Sequence, residues 1–157
     1  MSRVLTEGVG AVADRLEIEA LRGEFADAGM MGDFDRFALL FTADGVWRMP
    51  HLPITFVGRD EIRAGVEQMQ GMWEFFVQTT HVGVITLDGD RAVGRAYVTE
   101  FGRMRDGRSH ANHGVYHDLY ERPIEGWKFR ERRYEVLYAD DTTLSGRPGF
   151  AHNAGGA

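Results

Sequence analysis

The chain has 157 residues, 43% hydrophobic and 27% charged, the balance of an ordinary globular domain long enough to bury a substantial core. Its net charge of −6 and its scattered arginines argue against a nucleic-acid-binding surface, and no segment approaches the roughly 18 apolar residues of a membrane span. Cysteine is absent, which removes disulfides and thiolate chemistry, and the first residues lack the apolar core of a signal peptide, so a cytoplasmic protein is expected.

From Ala11 to Met31 the apolar residues Ile18, Leu21, Phe25 and Ala28 recur at helical spacing, with Arg15, Glu19, Arg22 and Glu24 elsewhere around the helix. Gly29 and Gly32 bracket its end. Asp33 then reads as the N-cap of a short second helix whose apolar face is Phe34, Phe37, Leu40 and Phe41. Val46 to Met49 form a short strand, Pro50 and Pro53 break the chain, and a third helix follows Gly58. The stretch MQGMWEFF, Met69 to Phe76, is most simply core. Beyond it the period changes to two. Thr79–Leu87, Arg91–Arg103, Ser109–Arg122 and Gly126–Tyr138 read as four antiparallel strands separated by DGD, RDG and RPIEG turns. The expected class is α+β, with residues 1–10 a flexible start, 11–139 one domain and 140–157 a loose Gly-rich tail.

His81 is the one histidine in the first of these strands. With a two-residue loop at Asp88-Gly89 or Gly89-Asp90, it shares a small, apolar face with Ile85, Ala92, Ala96, Val98 and, further along, Glu100. That places His81 inward. A three-residue loop reverses the parity and puts Tyr97 opposite His81.

Taken in order, the segments DRLEIEALRGEFADAGMMGDFDRFALLFTADGVW, FVGRDEIRAG, TTHVGVITLDGDRAVGRAYV and GVYHDLYERPIEGWKFRERR resemble the SnoaL-like branch of the nuclear-transport-factor-2-like superfamily, over about residues 11 to 138. The resemblance implies a cone: N-terminal helices packed in a strongly curved, mostly antiparallel sheet around an internal cavity. It implies cofactor-free lyase, isomerase or cyclase chemistry on an apolar ring-containing compound, and a homodimer or trimer. It equally allows a non-catalytic binder, or the small subunit of a ring-hydroxylating dioxygenase. Dehydratase-type members use an Asp–His dyad. Their histidine matches His81, but the aspartate position is Met30, a thioether that carries no charge and accepts hydrogen bonds weakly.

Three carboxylates are candidates to replace that aspartate: Asp27 one turn before Met30, Glu100 on the inferred His81 face, and Asp118, which shares a strand face with Tyr116 and Asn112. The bland alternatives are a solvated Asp27, a strand-end Glu100, and an Asp118 buried against Arg132 or Arg133. Tyr116 or Asn112 would hold a developing oxyanion. Phe25, Met30, Trp47, Met49, Trp73, Phe76, Val98 and Asn112 are the pocket candidates. No metal site is expected from His110, His113 and His117: neighbours three apart on a strand face opposite ways, and His113 and His117 would stand about 13 Å apart. Their outer face, with Val115 and Leu119, is the expected subunit interface.

Overall fold

In the computed structural model, which describes residues 8–149, the helical period of the first half gives three helices. The alternation of the second half gives most of one seven-stranded sheet. The order is α1 (Val9–Met31), α2 (Phe34–Leu39), β1 (Phe41–Met49), β2 (Ile54–Val57), α3 (Arg59–Gly71), β3 (Trp73–Thr80), β4 (Val84–Asp88), β5 (Arg91–Met104), β6 (Ser109–Glu121) and β7 (Lys128–Asp140). Residues 1–7 and 150–157, parts of the expected flexible start and loose tail, lie outside the described residues.

The strands run β2-β1-β7-β6-β5-β3, and β4 pairs with β5 as well. Only the β1–β7 pair is parallel, so the sheet is mixed. Irregularities in the β6–β7 ladder, between His113 and Gly114 and between Leu119 and Tyr120, bend the long central strands. The sheet curls around α1, which makes the expected α+β cone. Phe25 of α1 meets the rings of Phe37 at 4.5 Å, Tyr116 at 5.4 Å, Trp47 at 5.7 Å and Phe129 at 5.9 Å. This aromatic cluster joins the helix to three strands, and its interlocking tilted and edge-on contacts specify one packing.

Five features differ from the sequence reading. Phe41 begins β1 rather than ending α2's apolar face, and β2 was not expected. Met69 to Phe76 splits between the last turn of α3 and the start of β3. Arg22, expected on the polar side of α1, is buried, because the sheet surrounds that helix on more sides than an ordinary surface helix is covered. The described part of the tail, 141–149, is tied down: Arg103 donates to the carbonyls of Leu144 at 2.7 Å and Gly146 at 3.1 Å.

The fifth difference reorients the site. Thr79–Leu87 is two strands, β3 and β4, which pair in succession with β5. Thr80 pairs with Val98 and Val84 with Arg95, so His81, Val82 and Gly83 stand against only Ala96 and Tyr97. This bulge shifts the register by one residue and exchanges the two faces. Gly83 makes it possible, since a Cβ there would collide with the Arg95 carbonyl.

Candidate active site

The hairpin loop is Gly89-Asp90, as the two-residue reading requires, with Asp88 paired to Arg91. Ile85, Ala92, Ala96 and Val98 face inward and are buried. His81 does not join them. Beyond the bulge it is exposed on the convex face, its N–H bonded to the Tyr97 carbonyl at 2.8 Å. Its Nε2 lies 3.1 Å from Thr99 Oγ1, which lies 3.4 Å from His113 Nδ1. The expectation that His81 faces the cavity is therefore corrected. The parity derived from the turn holds up to Val84 and is reversed by the bulge before it reaches His81.

Gln78 takes the inward place. It is buried, its Nε2 donates to Glu100 Oε2 at 2.9 Å, and its backbone N–H points at the Met30 sulfur, 3.3 Å away. Asn112, paired with Glu100 across β5–β6, donates Nδ2 to the other carboxylate oxygen at 3.3 Å. Among the described residues, Glu100 is thus held by two neutral amides and by no cation. Each of its oxygens keeps a free acceptor direction.

Around Glu100 is an aromatic chamber of about 70 Å³, lined among others by Phe25, Trp47, Met49, Trp73, Phe76, Gln78 and Tyr116. It adjoins a vestibule of about 770 Å³ at the β3 edge of the sheet. Gly29, Gln70, Trp73 and Phe76 border both spaces, and the Trp73 and Phe76 rings lie 5.2 Å apart there. Met30 lines the vestibule, and Val98 is buried core outside both linings.

Tyr116 lines the chamber, and Tyr134 is buried beside it against Tyr116. Burial raises the Tyr116 hydroxyl well above the ordinary tyrosine range; Arg132 opposes this and Glu100 adds to it. Tyr134 is raised in the same way, by burial and then by Glu100. Both stay protonated at neutral pH. The Trp47 N–H is near enough to Tyr116 to favour its ionised form slightly, and Tyr134 is near enough to Glu100 to be influenced by it. Neither contact reaches hydrogen-bond geometry: Trp47 Nε1 and Tyr134 Oη are buried donors with no partner among the described residues. An unpartnered buried donor costs about 1–3 kcal/mol. Tyr134 sits where it does because Gly114 is opposite, since a Cβ there would overlap the hydroxyl. His51, in the turn between β1 and β2, packs its ring 5.3 Å from that of Tyr134. The residue as a whole is exposed, yet the ring's partial burial lowers its pKa and favours the neutral form, against the opposing pull of Glu100 towards the protonated one.

Asp118 and Asp27 lie elsewhere. Asp118 is fully buried below the chamber. Arg132 grips it through Nε at 2.8 Å and Nη2 at 3.0 Å, and the Tyr120 hydroxyl donates to it at 2.6 Å. Arg22 Nε completes the group by donating to Tyr120 Oη at 2.8 Å. The Arg132 guanidinium also stacks 4.0 Å from the Tyr116 ring centre and separates Asp118 from the chamber. The expectation that Asp118 lines the cavity is replaced by the structural alternative. Asp27 is a surface residue ion-paired with Arg36. On the convex face His117 pairs with Glu135 at 2.6 Å, Leu119 is exposed, and Val115 is already buried. Among the described residues no group of His, Asp or Glu side chains is arranged to hold a metal ion, and no helix is long and apolar enough to cross a membrane.

Sequence reasoning missed Gln78, Tyr134 and His51. Gly83 inside a strand pattern is a bulge signal, and counting through it would have turned Gln78 inward and His81 outward. Tyr134 lies two residues from Arg132 on the same face of β7, which was not oriented from sequence. His51 had no signal beyond its place between two prolines.

A curled sheet wraps a helix and leaves one carboxylate in an aromatic chamber. The chain belongs to the SnoaL-like domain family, whose model matches residues 10–133. None of the curated proteins matches the sequence. A solved structure of a candidate aromatic ring hydroxylase from Novosphingobium aromaticivorans is 27% identical, with a TM-score of 0.77 over 83% of this chain and 94% of that one. A candidate scytalone dehydratase from the same species is 19% identical, with a TM-score of 0.76 over 88% and 97%. A type-3 hexachlorocyclohexane dehydrochlorinase from Novosphingobium barchaimii is 22% identical, with a TM-score of 0.77 over 90% and 97%.

Proposed function

We propose that the protein catalyses proton transfer at carbon, without a cofactor, on an apolar ring-containing compound, with Glu100 as the base. The observation that carries this is the placement of Glu100: a carboxylate in an aromatic chamber, oriented by Gln78 and Asn112 and neutralised by no cation. It would take a proton from carbon; the C–H electron pair would delocalise onto an adjacent carbonyl, or expel a leaving group as the double bond forms. Returning the proton to a different carbon gives isomerisation. Two of the structural neighbours are named for eliminations, which is the same opening step. The vestibule accommodates the body of a bicyclic compound, and the chamber receives only its reacting edge.

The test is deuterium incorporation into 2-tetralone in D2O, followed by proton NMR at C1, whose C–H the ring and carbonyl both acidify. Wild type should exceed the buffer rate and Glu100→Gln should fall to it. Equal rates for the two proteins would reject Glu100. A non-catalytic binder is the second reading, favoured by the exposed position of His81 and the neutral Gln78 in the inward place; it predicts binding without exchange. The reading also includes a homo-oligomer, because the convex face exposes Val93, Tyr97, Phe101 and Leu119. A monomer in sedimentation at micromolar concentration would remove that part.

A further inference from the structure

The vestibule joins an apolar wall to a set of charges. Met30, Trp73, Phe76 and Phe101 line it together with three charged side chains, Glu74, Arg105 and Arg147. The acid is already neutralised. Arg103 donates to both Glu74 carboxylate oxygens, Nε at 2.6 Å and Nη2 at 3.0 Å, and these bonds hold the carboxyl below its ordinary pKa, with a weaker, unbonded attraction from Arg105. The two lining arginines have no such partner. Arg105 is anchored near its stem: its backbone N–H donates to the Met72 carbonyl at 2.9 Å and its Nε to the Gly71 carbonyl at 3.0 Å. Its terminal nitrogens make no hydrogen bond or ion pair among the described residues, and neither does the Arg147 guanidinium. Arg147 follows directly on the segment that Arg103 fixes through the carbonyls of Leu144 and Gly146, so its backbone is tied beside the vestibule. In a chain of net charge −6, the vestibule thus carries two uncompensated positive charges. A cleft lined by one sign of charge between apolar walls concentrates ligands of the opposite sign.

We propose that Arg105 and Arg147 bind an anionic substituent of the ligand, so that the preferred compounds are ring-containing carboxylates rather than neutral ring compounds. The proposal rests on the vestibule receiving the body of the ligand, as in the reading above, but not on Glu100 acting as a base. A guanidinium group only donates, and its planar fork matches the plane and spacing of a carboxylate. The apolar wall takes up the rings, a contact that a free inorganic anion could not use. Charge also sets the orientation. Glu100 lines the chamber and not the vestibule, and the two arginines line the vestibule and not the chamber. Glu100 repels a carboxylate while the arginines attract it, so a compound with the anion on one ring presents its other ring to Glu100.

The experiment compares 6-carboxy-2-tetralone, which carries its carboxylate on the aromatic ring, with its methyl ester by calorimetric titration at low salt. Wild type should prefer the carboxylate by about tenfold, and the preference should shrink as sodium chloride is raised, because charges at an open vestibule are screened. Arg147→Gln should lower the preference by about threefold, and the double variant with Arg105→Gln should bring it close to one. Arg147 has no bond in the described fold, so its single variant carries the test even if the double variant fails to fold. Arg108→Gln removes the same charge from a side chain outside the lining, paired with Asp106, and should leave the preference unchanged. Glu100→Gln should keep the preference while losing deuterium exchange. Preference without exchange in wild type would therefore reject the Glu100 reading alone, and exchange without preference would reject this inference alone. The proposal is overturned if wild type binds the ester as well as the carboxylate, if Arg147→Gln retains the full preference, if Arg108→Gln lowers it as much, or if neither compound binds.

Discussion

Two buried polar clusters lie on either side of the Arg132 guanidinium, and they are built differently. Below it, Arg22, Tyr120, Asp118 and Arg132 saturate one another. Above it, Glu100 is held by two amides and keeps a free acceptor direction on each oxygen. The lower cluster carries charges that the fold neutralises internally, so removing one member strands the others. The upper cluster keeps bonding capacity that the fold does not consume, the arrangement expected where a ligand completes the set. Both contain an acidic residue on an inward strand face. Pairing, rather than residue type, separates structure from chemistry here.

The largest expected effect is on activity. Glu100→Gln should lower catalysed exchange by about 10²–10⁴-fold, the usual contribution of a general base. Its unfolding free energy should change by no more than about 1 kcal/mol, since one amide-held group replaces another. Asp118→Ala should behave in the opposite way. It leaves Arg132 and Arg22 buried without their carboxylate and should cost about 3–5 kcal/mol in urea denaturation. If Asp118→Ala is as stable as wild type, or Glu100→Gln as unstable as Asp118→Ala, the contrast between the clusters fails.

Acid sharpens the comparison through His51. Burial lowers its folded pKa below the ordinary 6.5, so above that value the residue is neutral in both states and contributes no pH dependence. As pH falls below it, the unfolded chain takes up the proton first, and stability declines until the folded pKa is also passed. His51→Asn should flatten the stability profile in that acid window and leave it unchanged above neutrality. Denaturation midpoints across the pH range measure this. The smallest effect belongs to His81→Ala: on the exposed face it should shift unfolding by less than about 0.5 kcal/mol and leave 2-tetralone binding unchanged. A large loss of binding would return His81 to the site.

Much of this was legible in local sequence. The helical period of residues 11–31, the Gly89-Asp90 loop and the alternation of β5 and β6 each depend on neighbours close in the chain, and the resemblance in segment order pointed to the cone. The inward face of Glu100 followed from that alternation, while Tyr116, Asn112 and the aromatic lining came with the resemblance. Tertiary structure decided where the charges went. Whether Asp118 serves a cavity or a core depends on Arg132, fourteen residues away on the next strand, and on Arg22 from a helix at the other end of the domain. Whether His81 faces in or out depends on three residues facing two, a register that only strand pairing sets. A period-two pattern assigns faces only while the count is unbroken, and one extra residue at Gly83 exchanges them for every residue before it.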